Sequence, residues 1–216
     1  MVKNEGIVLF SGGLDSTTLL YKTYLMHDRK ILAISFDYGQ RHKKELSFAQ
    51  YHIKHLNISQ IIIPLKFHYK NNTLLSKNAL IPHEHYTHKN QKLTVVPCRN
   101  MIMLSLAIGI AEDKNIPFVY YAAHRNDSTT YPDCRPDFVK AINKTAMAGT
   151  YNHIEVRAPF VHIYKSDIVK IGIEIGVDYY KTWSCYEGGK HHCGKCGTCQ
   201  ERIEAFAKNG LTPVMP

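Results

Sequence analysis

The sequence predicts an α/β fold built on a doubly wound parallel sheet. Three observations carry this expectation: short apolar runs alternate with stretches of helical period, a glycine pair links the first run to the first helix, and the 216-residue length suits one generous domain. Ile7-Val8-Leu9-Phe10 suits a buried parallel strand, and from Thr17 onward Leu19, Leu20, Tyr24 and Leu25 share a helical face. Residues 31–36 read as a second strand and 43–56 as a helix with Leu46, Ala49, Ile53 and Leu56 on one side. Ile61-Ile62-Ile63 is a third short strand. Residues 66–93 are polar, rich in His and Asn and without clear period, which suggests a long functional excursion with a short helix around Leu74-Leu75. Beyond it come a strongly apolar helix (101–112), a strand (118–122), a helix (137–147), a strand (154–157) and helices at 166–175 and 200–208. The whole chain, 1–216, is expected to be a single domain, with 182–210 as a small C-terminal metal-binding element inside it. In such a sheet, ligands bind beyond the carboxyl ends of the strands at the point where strand order reverses. The segments after Phe10, Phe36 and Ala122 belong at that rim.

The first of these segments, Phe10-Ser11-Gly12-Gly13-Leu14-Asp15-Ser16-Thr17-Thr18, is a phosphate-sized turn between strand and helix. Gly12 and Gly13 let the backbone approach an anion and take positive φ. N–H groups at the helix start then point at that anion, aided by the helix dipole. Ser11, Ser16 and Thr17 add hydroxyls. The loop is not a Walker A sequence: it contains no lysine, and Asp15 contributes a negative charge. Charge balance must come from Mg²⁺ or from basic residues elsewhere. Ser-Gly-Gly-Leu-Asp-Ser resembles the pyrophosphate loop of the ATP pyrophosphatases, which implies ATP cleaved to AMP and pyrophosphate. The simpler alternative is a glycine turn feeding a serine-capped helix.

Lys and Arg number 27 against 18 Asp and Glu, a formal charge of +9 that fits nucleic acid or small anionic ligands. The basic residues are scattered, apart from short clusters such as Arg41-His42-Lys43-Lys44, so an ATP-using enzyme is sufficient to explain them and no nucleic-acid partner is required. No apolar run approaches the roughly 18 residues of a membrane span, and no signal-peptide pattern is present. A cytoplasmic protein without a membrane partner is expected.

Six cysteines in such a chain do not suggest a disulfide framework, and four lie near the C-terminus. Cys185 is followed by Cys193, Cys196 and Cys199, three cysteines spaced by two residues with glycines between them. Four thiolates suit a closed tetrahedral Zn²⁺ site, structural because no coordination position stays open. The alternatives are an unmetallated, redox-active turn and an iron–sulfur cluster. His191 and His192 adjoin the group, but four sulfurs leave them spare. The metal would clamp helix 200–208 onto the body.

Other segments carry isolated charges. Phe36-Asp37-Tyr38-Gly39-Gln40-Arg41-His42 follows the second strand, where Arg41 can offset phosphate charge and the backbone near Phe36 can read adenine; a solvated loop is the plainer reading. In Val96-Pro97-Cys98-Arg99-Asn100, Arg99 precedes an apolar helix and calls for an anionic partner. Tyr131-Pro132-Asp133-Cys134-Arg135-Pro136-Asp137-Phe138 offers Asp133 and Arg135 to a substrate with acidic and amide groups, or to each other. Lys165 opens a helix, where a cation gains nothing from the dipole, so it makes more sense facing phosphate.

Taken together, the loop, Phe-Asp-Tyr-Gly-Gln-Arg-His, Val-Pro-Cys-Arg-Asn, Tyr-Pro-Asp-Cys-Arg-Pro-Asp-Phe, Thr-Trp-Ser-Cys-Tyr and Cys-Gly-Lys-Cys-Gly-Thr-Cys resemble the 7-cyano-7-deazaguanine synthase family, in its order and from Phe10 to Cys199. The one departure is Cys98, where the family usually has Gly or Ala. The resemblance implies an adenine nucleotide alpha-hydrolase-like fold, a homodimer, and conversion of 7-carboxy-7-deazaguanine and free ammonium to a nitrile, with ATP and Mg²⁺ and through adenylated intermediates. It implies nucleotide contacts from Phe10 to Thr18 and at Phe36 and Arg41, and substrate contacts at Tyr131, Asp133 and Arg135. Asp15, Lys165 and Arg99 are the candidate catalytic residues. Competing readings are a tRNA-thiolating enzyme, with Cys98 or Cys134 as reactive thiol, a zinc-stabilised nucleic-acid module, and an NAD synthetase-like amidase.

Overall fold

The computed structural model describes residues 3–40, 44–69, 74 and 95–216. Five strands, β1 (Gly6–Leu9), β2 (Ile31–Asp37), β3 (Ser59–Pro64), β4 (Phe118–Tyr120) and β5 (Glu155–Arg157), form one sheet in the order β3-β2-β1-β4-β5. Every pairing is parallel, and Val8 of β1 stands opposite Ala33 on one side and Tyr120 on the other.

The helices are α1 (Leu14–Met26), α2 (Lys44–Leu56), α3 (Arg99–Asp113), α4 (Pro136–Gly149), α5 (Lys165–Glu174) and α6 (Gly197–Ala207). Alternate strand residues point to opposite faces, and the two faces bury different helices. Ile7, Leu32, Ile34 and Val119 pack against Leu104 and Ala107 of α3 and Ile142 of α4. Val8, Ile31, Ala33 and Tyr120 pack against Leu19 and Leu20 of α1, Ala49 of α2, Ile168 of α5 and Phe206 of α6. The chain winds outward from β1 through β2 to β3, and α3 then returns it to β4 on the other side of β1. Strand order reverses there, which opens a crevice at the carboxyl ends of β1 and β4.

Three helices start two or more residues earlier than the periodicity suggests, α6 at Gly197 and two that matter more for the pocket. α1 begins at Leu14, so Asp15, Ser16 and Thr17 form its first turn and only Ser11 to Gly13 are loop. α3 begins at Arg99, which puts that guanidinium on the helix's first turn. Apolar spacing misses both because Asp15 and Ser16 in α1 and Arg99 and Asn100 in α3 interrupt the apolar pattern in the opening turn. The short helix expected around Leu74-Leu75 lies outside the described residues apart from Leu74, which is buried.

Candidate active site

The loop after β1 closes on itself through its own hydroxyls. Ser11 Oγ lies 3.0 Å from Ser16 Oγ and accepts from the Gly13 N–H at 3.2 Å, and the Ser11 N–H donates to Ser16 Oγ at 3.3 Å. Gly12 takes φ +86°, and a Cβ there would come within 2.7 Å of the Ala49 nitrogen. Its missing side chain therefore serves close contact with α2 as well as the turn. The Gly12 carbonyl accepts from the Trp183 N–H at 3.0 Å, which ties the loop to the C-terminal segment. Phe10, Ser11, Gly13, Leu14, Asp15 and Ser16 line one pocket. Thr17 and Thr18 do not: both are fully buried, and Thr18 Oγ1 bonds the Leu14 carbonyl and Tyr179 Oη. The early helix start turns them inward.

Behind the loop lies a group of alternating charges. Lys165 Nζ sits 2.7 Å from Glu201 Oε2 on α6 and 3.5 Å from Asp15 Oδ2. His124, just beyond β4, brings Nε2 to 3.2 Å from Asp127 Oδ2 and 3.6 Å from Asp15 Oδ2. Burial disfavours the Asp15 carboxylate, but Lys165 and His124 outweigh it and hold its carboxyl well below the usual range. The same logic in reverse holds Lys165 charged: burial opposes the ammonium, and Asp15 and Glu201 more than compensate. The His124 pKa is raised because Asp127 and Asp15 overcome its burial. Lys165 occupies the unfavourable end of α5 only because that end is otherwise satisfied, with its N–H donating to Asn126 Oδ1 at 3.0 Å and the Tyr164 N–H to Asp167 at 2.9 Å. Asp15 Oδ1 is buried without a hydrogen-bond partner among the described residues.

The opposite end of the pocket is more aromatic. Arg99 Nη1 donates to Tyr38 Oη at 3.3 Å, and its guanidinium carbon lies 5.8 Å from the Tyr38 ring centre. Phe36, Tyr131 and Tyr186 line the same cavity, as does Glu45 of α2. Burial pushes the Glu45 carboxyl up to about 7, against the attraction of Arg99. Asp133 turns away from the cavity and accepts from the Asn100 N–H at 2.9 Å and the Asn100 side chain at 3.3 Å, which fixes the start of α3. Arg135 is exposed, and its Nε donates to the Ser128 carbonyl at 3.0 Å; it neither lines the pocket nor pairs with Asp133. Arg41 lies outside the described residues.

Cys185, Cys193, Cys196 and Cys199 converge, with all four sulfurs within 4.8 Å of one another. Gly194, at φ +68°, makes the turn between them. N–H groups of Lys195 and Cys196 point at Cys193 Sγ at 3.4 and 3.2 Å, and that of Cys193 points at Cys185 Sγ at 3.4 Å. Donors aimed at sulfur favour thiolates, as metal binding requires. Hydrogen bonds from Cys185 and then Cys199 hold Cys196 well below the ordinary thiol range. These four residues can hold one metal ion, and α6, which starts between Cys196 and Glu201, carries that geometry to Lys165.

Sequence reasoning missed His124, Asp127, Glu201, Glu45 and Arg202. His124 had one usable signal, its place just beyond the fourth strand at the ligand rim. Glu45, Glu201 and Arg202 read as ordinary polar positions on amphipathic helices. Arg202 is nonetheless 1% exposed and bonds the Tyr179 and Val214 carbonyls, both at 2.7 Å.

Comparison with known proteins agrees with this geometry. The family model described as "Queuosine biosynthesis protein QueC" matches residues 5–210. Among curated relatives, the 7-cyano-7-deazaguanine synthase of Hahella chejuensis is 44% identical, over 98% of this chain and 92% of its own length. Those of Porphyromonas gingivalis and a Marinomonas species are 43% and 42% identical, over 97% and 98% of this chain and 95% and 97% of their own lengths. Among solved structures, the U34-tRNA thiolase NcsA from Methanococcus maripaludis with its [4Fe-4S] cluster superposes with a TM-score of 0.52 at 14% identity. This chain spans 60% of that thiolase, which covers 82% of this chain and bears on the fold alone. A family match over nearly the full length, joined to relatives above 40% identity, establishes that the chain belongs to the QueC family of queuosine biosynthesis proteins.

Proposed function

We propose that this protein is an ATP-dependent, carbon–nitrogen bond-forming ligase that converts 7-carboxy-7-deazaguanine and ammonia to 7-cyano-7-deazaguanine. The observation that carries this reading is that Ser11, Gly13 and Ser16 share one cavity with Arg99 and Tyr131, so that a nucleotide and a planar acid can meet there. The substrate carboxylate attacks the α-phosphorus of ATP, and pyrophosphate leaves. Ammonia adds to the acyl carbon, gives up a proton and expels AMP, which yields the amide. The amide oxygen then attacks the α-phosphorus of a second ATP and expels pyrophosphate, and loss of both N–H protons and of AMP leaves the C≡N bond.

The chain needs no covalent nucleophile, because ATP supplies the activation, and its residues act by position and charge. Loop N–H groups and Lys165 hold the departing pyrophosphate, and Arg99 keeps the acceptor end electropositive. Asp15 Oδ1, buried and unpartnered, is the atom we assign to Mg²⁺, which would neutralise pyrophosphate charge when bound. Asp15 also fixes the position of Lys165.

For the cysteine group we propose structural Zn²⁺. A Zn–S distance of about 2.3 Å sets tetrahedral sulfurs roughly 3.8 Å apart, and Cys193 and Cys199 already lie at 3.9 Å. An iron cube would hold its thiolates farther apart. No helix among the described residues is long and apolar enough to cross a membrane, and we assign the protein to the cytoplasm as a homodimer, which light scattering in solution tests. The decisive assay incubates the protein with ATP, Mg²⁺, ammonium and the deazaguanine acid. Nitrile and AMP are expected by mass analysis, and ADP or the unreacted acid would overturn the proposal.

A further inference from the structure

The carboxylates that line the pocket are not equivalent. Asp15, Asp127 and Glu201 each lie against Lys165 or His124, at 2.7 to 3.6 Å. Glu45 makes no hydrogen bond or ion pair with any described residue, although it lines the same cavity. Arg99 attracts it without forming an ion pair with it and donates instead to Tyr38 Oη. Glu45 is also held in place, because its backbone packs against the side-chain-less face of Gly12. An acid and a base thus face one cavity and do not meet, with Tyr38, Tyr131 and Tyr186 as walls.

A carboxylate so placed accepts two parallel N–H donors in one plane. Between aromatic walls, those donors belong on the edge of a flat heterocycle. The deazaguanine of the proposed reaction has such an edge, formed by its ring N1–H and its 2-amino group, with a neighbouring carbonyl that accepts. Adenine lacks the N1–H. We propose that Glu45 reads the N1–H and 2-amino edge of the substrate and thereby sets the enzyme's selectivity for guanine-type acids. This inference rests on the function proposed above. The raised Glu45 carboxyl fits the role, since two N–H donors would restore its ionised form on binding.

The test compares the deazaguanine acid with its analogue lacking the 2-amino group, using wild type, Glu45→Gln and Glu45→Ala. A charged bidentate pair corresponds to about 10- to 100-fold. Wild type should prefer the amino compound by that factor in kcat/KM. Both variants should lose the same factor on the amino compound and discriminate by less than about threefold, with the KM for ATP and the metal content unchanged. Glu45→Gln preserves shape, so its melting curve separates misfolding from lost recognition. Selectivity retained in both variants overturns the inference, as does a rise confined to the KM for ATP, which would make Glu45 an adenine contact. Wild type that forms no nitrile from the acid overturns the substrate assignment itself, a result distinct from nitrile formation that ignores Glu45.

Discussion

Charge is arranged differently at the two ends of the pocket. Around Asp15 the described titratable groups each lie against a partner of the complementary type: Lys165 lies between Asp15 and Glu201, and His124 between Asp15 and Asp127. At the aromatic end, Glu45 and Arg99 face the cavity without an ion pair between them. A charge-paired network is preorganised, and Asp15 Oδ1 is the oxygen it leaves for a ligand, which suits the proposed phosphate chemistry. Groups left open gain their partners only from the ligand, which suits selection among acids. On the function proposed above, one end performs the reaction and the other chooses what undergoes it.

The sharpest way to break this contrast is Asp15→Ala. Turnover should fall by a factor of about 10³ or more, because Lys165 keeps Glu201 but loses its second carboxylate and the site loses the buried Asp15 oxygen; metal content, read by elemental analysis, should stay at the wild-type value. Lys165→Met comes next. It strips Glu201 of its cation and leaves Asp15 with His124 alone, so denaturant melts should show a loss of about 3–5 kcal/mol besides the loss of activity.

Chelation of the cysteine-bound metal should act on the paired end first. α6 carries Glu201, so activity should fall before the sheet melts, as far-ultraviolet circular dichroism and nitrile assays followed in parallel can establish. At the open end the effect is smaller and depends on pH. The folded Glu45 carboxyl binds its proton up to about 7, against an ordinary 4.5, so its stabilising contribution is complete below 4.5 and lost as pH rises through about 7. Glu45→Gln should therefore shrink the fall in melting temperature between pH 5 and pH 8. Smallest of all is Cys98→Gly. Cys98 holds φ +54° at the start of the helix that carries Arg99, and glycine removes that strain for a gain of about 1 kcal/mol in chemical denaturation.

The paired end was more legible in the sequence than the open one. Glycines, a loop aspartate and a lysine at the wrong end of a helix each violate a local preference, and such violations stand out. The four cysteines stood out by spacing. Glu45 and Glu201 violate nothing: a glutamate near a helix start or on a polar stripe is what a solvated helix would show, and only tertiary packing turns them inward. Thr17 and Thr18 were misleading for a related reason, since a motif written as a line ignores the rotation of about 100° per residue once the helix has begun. Asp133 and Arg135 share a rigid, polar segment, yet one caps α3 and the other faces solvent. Spacing along an irregular turn does not fix direction.

The Trp183 N–H held by the Gly12 carbonyl, together with the reach of Glu201 to Lys165, has a consequence for biosynthesis. A nascent chain on the ribosome can complete its sheet early, but its pocket lacks the Glu201 partner of Lys165 until α6 has emerged. Assembly of the pocket is thereby coupled to docking of the C-terminal segment.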